Sequence, residues 1–249
     1  MSRARLRALG LMIVAGLGAV AIAVWARGRA QPALGERPAA ERPALLLLTS
    51  LPLLFGDDFS LSATGSPALA ALQRRYRIVP ISVSSRAELA KGRLLLMAQP
   101  LAQPAEHLVA LDAWVRGGGR LVLLADPLLV WPSKHAPGDP LRPPPMFADT
   151  GLLAHWGLRL DAPEESGPRT GRIGEVEVMT GSPGTLVSTA AGCRVEPGGL
   201  AARCRIGRGR VTIIADADFL DVGRPEGLDG PTDRNLAALV GELAQLERK

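Results

Sequence analysis

Four short, unbroken apolar runs punctuate the chain: Ala44 to Ser50 (ALLLLTS), Arg93 to Ala98 (RLLLMA), Arg120 to Ala125 (RLVLLA) and Val211 to Ala215 (VTIIA). Runs of this length without polar alternation predict strands covered on both faces, the condition of a parallel sheet. Helical patterns lie between them. Ser66-Pro67 reads as N-cap and first helical residue ahead of ALAALQRRY, and Pro104 opens a helix with Leu108, Leu111 and Val115 on one stripe. That helix stops at Gly117-Gly118-Gly119, residues suited to a left-handed cap and tight turn. A last helix starts near Thr232, with Leu236, Leu239, Val240 and Leu243 at helical period. The alternation predicts an α/β fold, a mainly parallel doubly wound sheet with right-handed crossovers.

Two stretches depart from that plan. Leu129 to Pro145 is crowded with proline and polar residues and predicts an irregular surface loop, followed by a short helix around Phe147 to Trp156. From Ile173 to Ile206, short β-prone pieces separated by Gly and Pro predict an antiparallel β-meander inserted at about 173–206.

From Ala8 to Trp25 the chain runs eighteen residues without a charge. As a helix this spans about 27 Å, against a hydrocarbon core of about 30 Å. Arginines flank the run and Trp25 closes it, as in a transmembrane helix. The expected organisation is therefore a membrane anchor over 1–26, a Pro/Ala-rich linker over 27–43 and a globular domain over 44–249. The expected address is the inner membrane, single-pass through residues 8–25, with the domain facing the periplasm. Ala21-Ile22-Ala23 leaves a cleaved signal peptide as the alternative.

Charge changes the picture only at the start. The net charge of +5 is accounted for by Arg3, Arg5, Arg7, Arg27 and Arg29, and beyond them 24 basic residues face 24 acidic ones. A neutral globular part with 4% aromatic residues lacks a basic, aromatic-interleaved stripe, so no nucleic acid is expected as partner.

Cys193 and Cys204 are symmetric about Gly198-Gly199, which sets them opposite one another if that pair forms a hairpin tip. They are disulfide candidates in an exported protein. A strict two-residue turn would make them a hydrogen-bonded pair and deprive Pro197 of its donor role, so a longer loop is the alternative.

Catalytic signatures are missing. The three lysines, Lys91, Lys134 and Lys249, sit in no Walker-type loop, and His107, His135 and His155 lack zinc-binding spacing. No G-x-S-x-G elbow occurs. No catalytic residue, metal or cofactor is expected. Aspartates do collect at the carboxyl ends of the presumed strands: Asp57 and Asp58, Asp126, then Asp216, Asp218 and Asp221. Open α/β sheets bind ligands at that edge, which makes Asp126, Asp216 and Asp218 candidate binding residues. Aspartate also closes turns and caps helices there through backbone amides.

Residues 99–127 (QPLAQPAEHLVALDAWVRGGGRLVLLADP), 207–221 (GRGRVTIIADADFLD), Asp233-Arg234-Asn235-Leu236 and HWGLRLD at 155–161 resemble the GldG-type domain, also called the GIFT domain. That family occurs in auxiliary proteins of uncharacterised or gliding-motility ABC transport systems. The resemblance implies a glutamine amidotransferase-like or flavodoxin-like sheet without the enzymes' chemistry, because the corresponding elbow, Ala125-Asp126-Pro127, carries no thiol. The expected function is a membrane-anchored, non-enzymatic accessory protein whose extracytoplasmic domain binds a protein, with an ABC transporter permease or ATPase as candidate partner. The alternatives are a metal-dependent hydrolase or small-ligand enzyme using the clustered aspartates, and a cleaved, soluble periplasmic binding protein.

Overall fold

In the computed structural model the described residues are 35–54, 65–223, 227–228 and 232–248. The apolar runs form strands β1 (Ala44–Thr49), β3 (Leu94–Ala98), β4 (Arg120–Leu124) and β11 (Gly209–Ile214), and β2 (Arg77–Pro80) joins them. All five run parallel, in the order β2-β1-β3-β4-β11. Because side chains alternate along a strand, each run feeds two cores. Leu45 and Leu47 of β1 enter one core with Leu96, Val122 and Ile214, whereas Leu46 and Leu48 enter the other with Leu95, Leu123 and Ile213. This is why apolar residues fill both faces of these runs, with Thr212 of β11 the buried polar exception.

Helices cover both faces. The first core is closed by α1 (Pro67–Gln73) and α5 (Thr232–Glu247). The second is closed by α2 (Arg86–Leu89), α3 (Ala105–Arg116) and α4 (Leu152–His155). Ser66 Oγ accepts from Leu69 N at 3.1 Å, and Pro67 takes the first helical position, where its missing N–H costs nothing. The short helix stands at α4, later than the Phe147 start expected of it, because Asp149 Oδ1 draws in the amides of Gly151 and Leu153 and delays the first turn.

The expected fold class is corrected on three points. The sheet is mixed: β10 (Ala201–Ile206) runs antiparallel to β11, and β9 (Cys193–Val195) antiparallel to β10, giving seven strands in the order β2-β1-β3-β4-β11-β10-β9. Secondly, residues 173–206 are no single meander. Strand β6 (Arg169–Ile173) pairs with β7 (Val176–Thr180), while β8 (Thr185–Ser188) pairs with β5 (Leu158–Asp161). The reason is burial on opposite sides: Ile173 and Val178 enter the first core, Leu158 and Leu186 the second, so the two ribbons cannot share a sheet.

Thirdly, no helix among the described residues is long and apolar enough to cross a membrane. The span expected at residues 8–25 lies outside the described residues. The described fold thus gives no support to the expected single-pass helix or to an inner-membrane address facing the periplasm.

Cys193 and Cys204 are bridged, with their Cα atoms 4.0 Å apart. Glu196 N donates to Ala201 O at 2.8 Å, which closes a loop over 197–200, longer than a two-residue turn. Arg205 N donates to Gly192 O at 3.0 Å. The longer loop shifts the ladder by one position, so the cysteines occupy a non-hydrogen-bonded pair, where strands approach more closely.

Candidate functional site at the carboxyl edge of the sheet

Strands β4 and β11 are parallel neighbours, so the residues leaving their carboxyl ends meet. Asp126 follows β4, Asp216 follows β11, and Asp218 opens a short 3-10 turn, Asp218–Leu220. All three are buried, and one carboxylate oxygen from each lies within 4.8 Å of the others. Among the described residues this is the one such group of acidic, His or Cys side chains.

The carboxylates are held by backbone amides. Asp126 Oδ1 accepts from Leu128 N at 2.9 Å, and its Oδ2 accepts from Ala217 N at 2.7 Å and Asp218 N at 3.4 Å. Asp216 Oδ1 accepts from Phe219 N at 2.7 Å and its Oδ2 from Gly181 N at 3.0 Å. Asp218 Oδ2 accepts from Val130 N at 2.9 Å, while Asp218 Oδ1 is buried with no hydrogen-bond partner among the described residues. A Cβ on Gly181 would stand 2.5 Å from Asp218 Oδ2, so only glycine lets that strand end approach the cluster.

Burial dominates the electrostatics. It raises Asp126 above the ordinary carboxylate range, against the lowering effect of the amides of Ala217, Leu128 and Asp218. Asp216 is raised well above that range, by burial first and then by the charges of Asp126 and Asp218. Asp218 is pushed up to about 7, by burial and then by Asp126. Three carboxyl groups this close and this dry do not all ionise together, so the cluster retains protons near neutrality.

Gln99 completes the edge, and the residue pattern carried no signal for it. It is fully buried after β3 and adopts φ 43°, the only described residue other than glycine at positive φ. That conformation costs on the order of 1 kcal/mol for a side chain of this kind and needs fixed surroundings. Its side chain supplies them: Oε1 accepts from Asp126 N at 3.0 Å, and Nε2 donates to the carbonyls of Asp126 and Pro144, each at 3.2 Å. Asn235 acts similarly on α5. Its Oδ1 accepts from Met179 N, and its Nδ2 donates to Met179 O and Phe219 O, tying the helix to β7 and to the turn that bears Asp218.

These contacts also brace the proline-rich loop. Phe147 N donates to Asp126 O and Leu129 N to Pro145 O, closing the loop at its base, and Trp131 is buried in the first core. At the tip, Arg142 Nη1 donates to His135 O at 2.6 Å and His135 lies 3.4 Å from Asp139. The loop nonetheless leaves Val130, Leu141 and Met146 exposed, and Leu101, just beyond Gln99, is 54% exposed.

The other expected residues scatter. Asp57 and Asp58 lie outside the described residues. Asp221 is buried beyond the 3-10 turn and is not part of the three-carboxylate group. The Cys193–Cys204 bridge stands on the antiparallel end of the sheet, away from the aspartates. His107 is on α3, His135 in the loop and His155 on α4, and the three do not converge.

The fold has solved counterparts. A cytoplasmic protein from Salmonella typhimurium matches with a TM-score of 0.51 at 10% identity, over 82% of this chain and 98% of that one. The mmIFT52 N-terminal domain matches at 0.50 and 14% identity, over 80% of this chain and 97% of that one. An exo-β-1,4-mannosidase from Opitutaceae bacterium strain TAV5 matches at 0.49 and 16% identity, over 81% of this chain but 36% of the enzyme, so this chain spans about a third of it. No family model matches the chain, and neither does any curated protein. At these identities the likeness shows the fold alone. Glycoside hydrolases stand among the structural neighbours at TM-scores below 0.5. The expectation of a non-enzyme is corrected to an open one, because a missing nucleophile motif is an absence and excludes no activity. The likeness transfers no reaction to this chain.

Proposed function

We propose that this chain is an accessory module that binds a partner protein through the carboxyl edge of its sheet. The observation behind this reading is the braced loop, which holds Val130, Leu141 and Met146 in solvent on a base fixed by Asp126, Asp218 and Gln99. Exposed apolar side chains on a preorganised loop favour association, since little entropy remains to be lost on docking. The GldG-type resemblance of residues 99–127 and 207–221 supports a component of an ABC-type transport system, permease or ATPase, as the partner. A photo-crosslinking residue at position 141 of the full chain is expected to give a discrete adduct containing such a subunit, lost on Met146→Glu. The same probe at Val109, exposed on α3, is expected to give none. Identical adducts from both positions would count against the reading.

The unpartnered Asp218 Oδ1 favours a second reading, a divalent-cation site serving a hydrolase or small-ligand enzyme. Oxygen ligands of this kind suit a hard cation, although most of the carboxylate oxygens already accept backbone amides. Magnesium, calcium or manganese at millimolar concentration should then raise the melting temperature of the wild type and leave Asp218→Asn unchanged. Equal melting curves with and without each metal would exclude it.

A further inference from the structure

The antiparallel end of the sheet gathers arginines that lie apart in the sequence. Arg203 of β10 stands opposite Arg194 of β9 and Thr212 of β11, and Arg205 stands opposite Arg210. Residues two apart on a strand share a face, so the four arginines project to the same side. There they line a cleft of about 380 Å³, bordered by Thr212 and by Gln245 in the last turns of α5. Adjacent strands lie about 4.8 Å apart and alternate residues about 6.6 Å apart, so the guanidinium groups can converge on one small ligand.

The charges there are unequal in their partners. Arg203 is neutralised by Glu196 and Glu242, and Glu242 also accepts from Thr212 Oγ1. Arg120, next in line on β4, donates to Glu247 O at 2.8 Å and so satisfies the carbonyl end of α5. Arg194, Arg205 and Arg210 make no ion pair with any described acid. Like charges placed directly across a strand pair repel one another, and both cross-strand pairs here are Arg–Arg. The Cys193–Cys204 bridge fixes β9 against β10 immediately beside them, which holds the repelling groups in register. A neutral globular part that spends a disulfide-fixed edge on three uncompensated arginines has an electrostatic debt that a bound anion would settle.

We infer that this cleft binds a small, multiply charged phosphate compound, with Arg194, Arg205 and Arg210 as its ligands. Guanidinium forks match phosphate oxygens in pairs, and three of them favour a diphosphate over a singly charged anion. The cleft lies in the size range of small-molecule sites, and no aromatic side chain lines it on which a base could stack. It is independent of the carboxyl edge, which faces the other end of the strands.

The test is calorimetric titration of the full chain with inorganic pyrophosphate at low salt. Binding is expected in the wild type, weakened at least tenfold in Arg205→Ala/Arg210→Ala, and unchanged in Arg172→Ala, an exposed arginine of β6. Arg194→Ala, a single exposed substitution, gives the same readout if the double variant melts early. Absence of heat at millimolar pyrophosphate, or equal affinity in the variants, overturns the inference. So does tighter binding of a single-stranded oligonucleotide that displaces pyrophosphate, which would make the cleft part of a nucleic-acid surface.

Discussion

Replacing Asp218 with asparagine is expected to abolish a large part of the stability loss that the protein undergoes as pH rises from about 4 to about 7 in chelator-containing buffer. A carboxyl group raised in the folded state keeps its proton after the unfolded chain has released it. Its contribution is complete below the ordinary Asp value, declines as pH climbs, and is gone once pH passes the folded value of about 7. A shift of that size corresponds to on the order of 4 kcal/mol at most, because the neighbouring carboxyl groups share the same protons. Asparagine imitates the protonated acid and can still accept from Val130 N. The variant should therefore match the wild type near pH 4 and exceed it near pH 8, as urea midpoints at several pH values will show. Parallel curves for the two proteins would mean that Asp218 ionises normally.

Asp126→Ala is expected to cost about 3–5 kcal/mol, since it leaves three amides, those of Leu128, Ala217 and Asp218, without an acceptor in a buried setting. Relief of repulsion on Asp216 and Asp218 offsets part of that loss. Asp126→Asn, which keeps one acceptor oxygen, should fall between. The damage should also be local: Asp126 O accepts from Phe147 N and its amide is held by Gln99, so the base of the proline-rich loop loosens first. Limited proteolysis should cut the variant within residues 127–149 before any global unfolding is seen. A variant as stable and as resistant as the wild type would show that the amides find other acceptors.

The carboxylates illustrate how far residues alone lead. Their positions after apolar runs marked them as groups at one edge, and both readings of aspartate there, ligand and turn closer, follow from general chemistry. Convergence was not legible, because Asp126 and Ala217 lie 91 positions apart and meet only through the β4–β11 pairing. Gln99 and Asn235 escaped for a related reason: an amide side chain becomes a clamp only when the carbonyls it bridges have been brought to it. The arginine cleft is not legible in the sequence, because acids balance the charge along the chain, whereas strand register concentrates one sign on one face.

The expected meander fails on pairing rather than on strands. Short β-prone pieces between glycines do form strands at Val176–Thr180, Thr185–Ser188 and Cys193–Val195, whereas the strand Arg169–Ile173 begins before the expected bound of the insertion. Their partners depended on which core each could reach, and sequential order says nothing of that.

By itself the sequence determined the doubly buried strands and the Ser66-capped start of α1, because burial on both faces demands long apolar runs and Ser66 Oγ supplies an acceptor for a free helical amide. Tertiary structure alone decided the order β2-β1-β3-β4-β11-β10-β9, the split of residues 169–206 between two faces, and the meeting of three acids and of four arginines. Local periodicity records how much of a segment is covered. What covers it is settled by long-range packing, where many segments of similar pattern compete for the same neighbours.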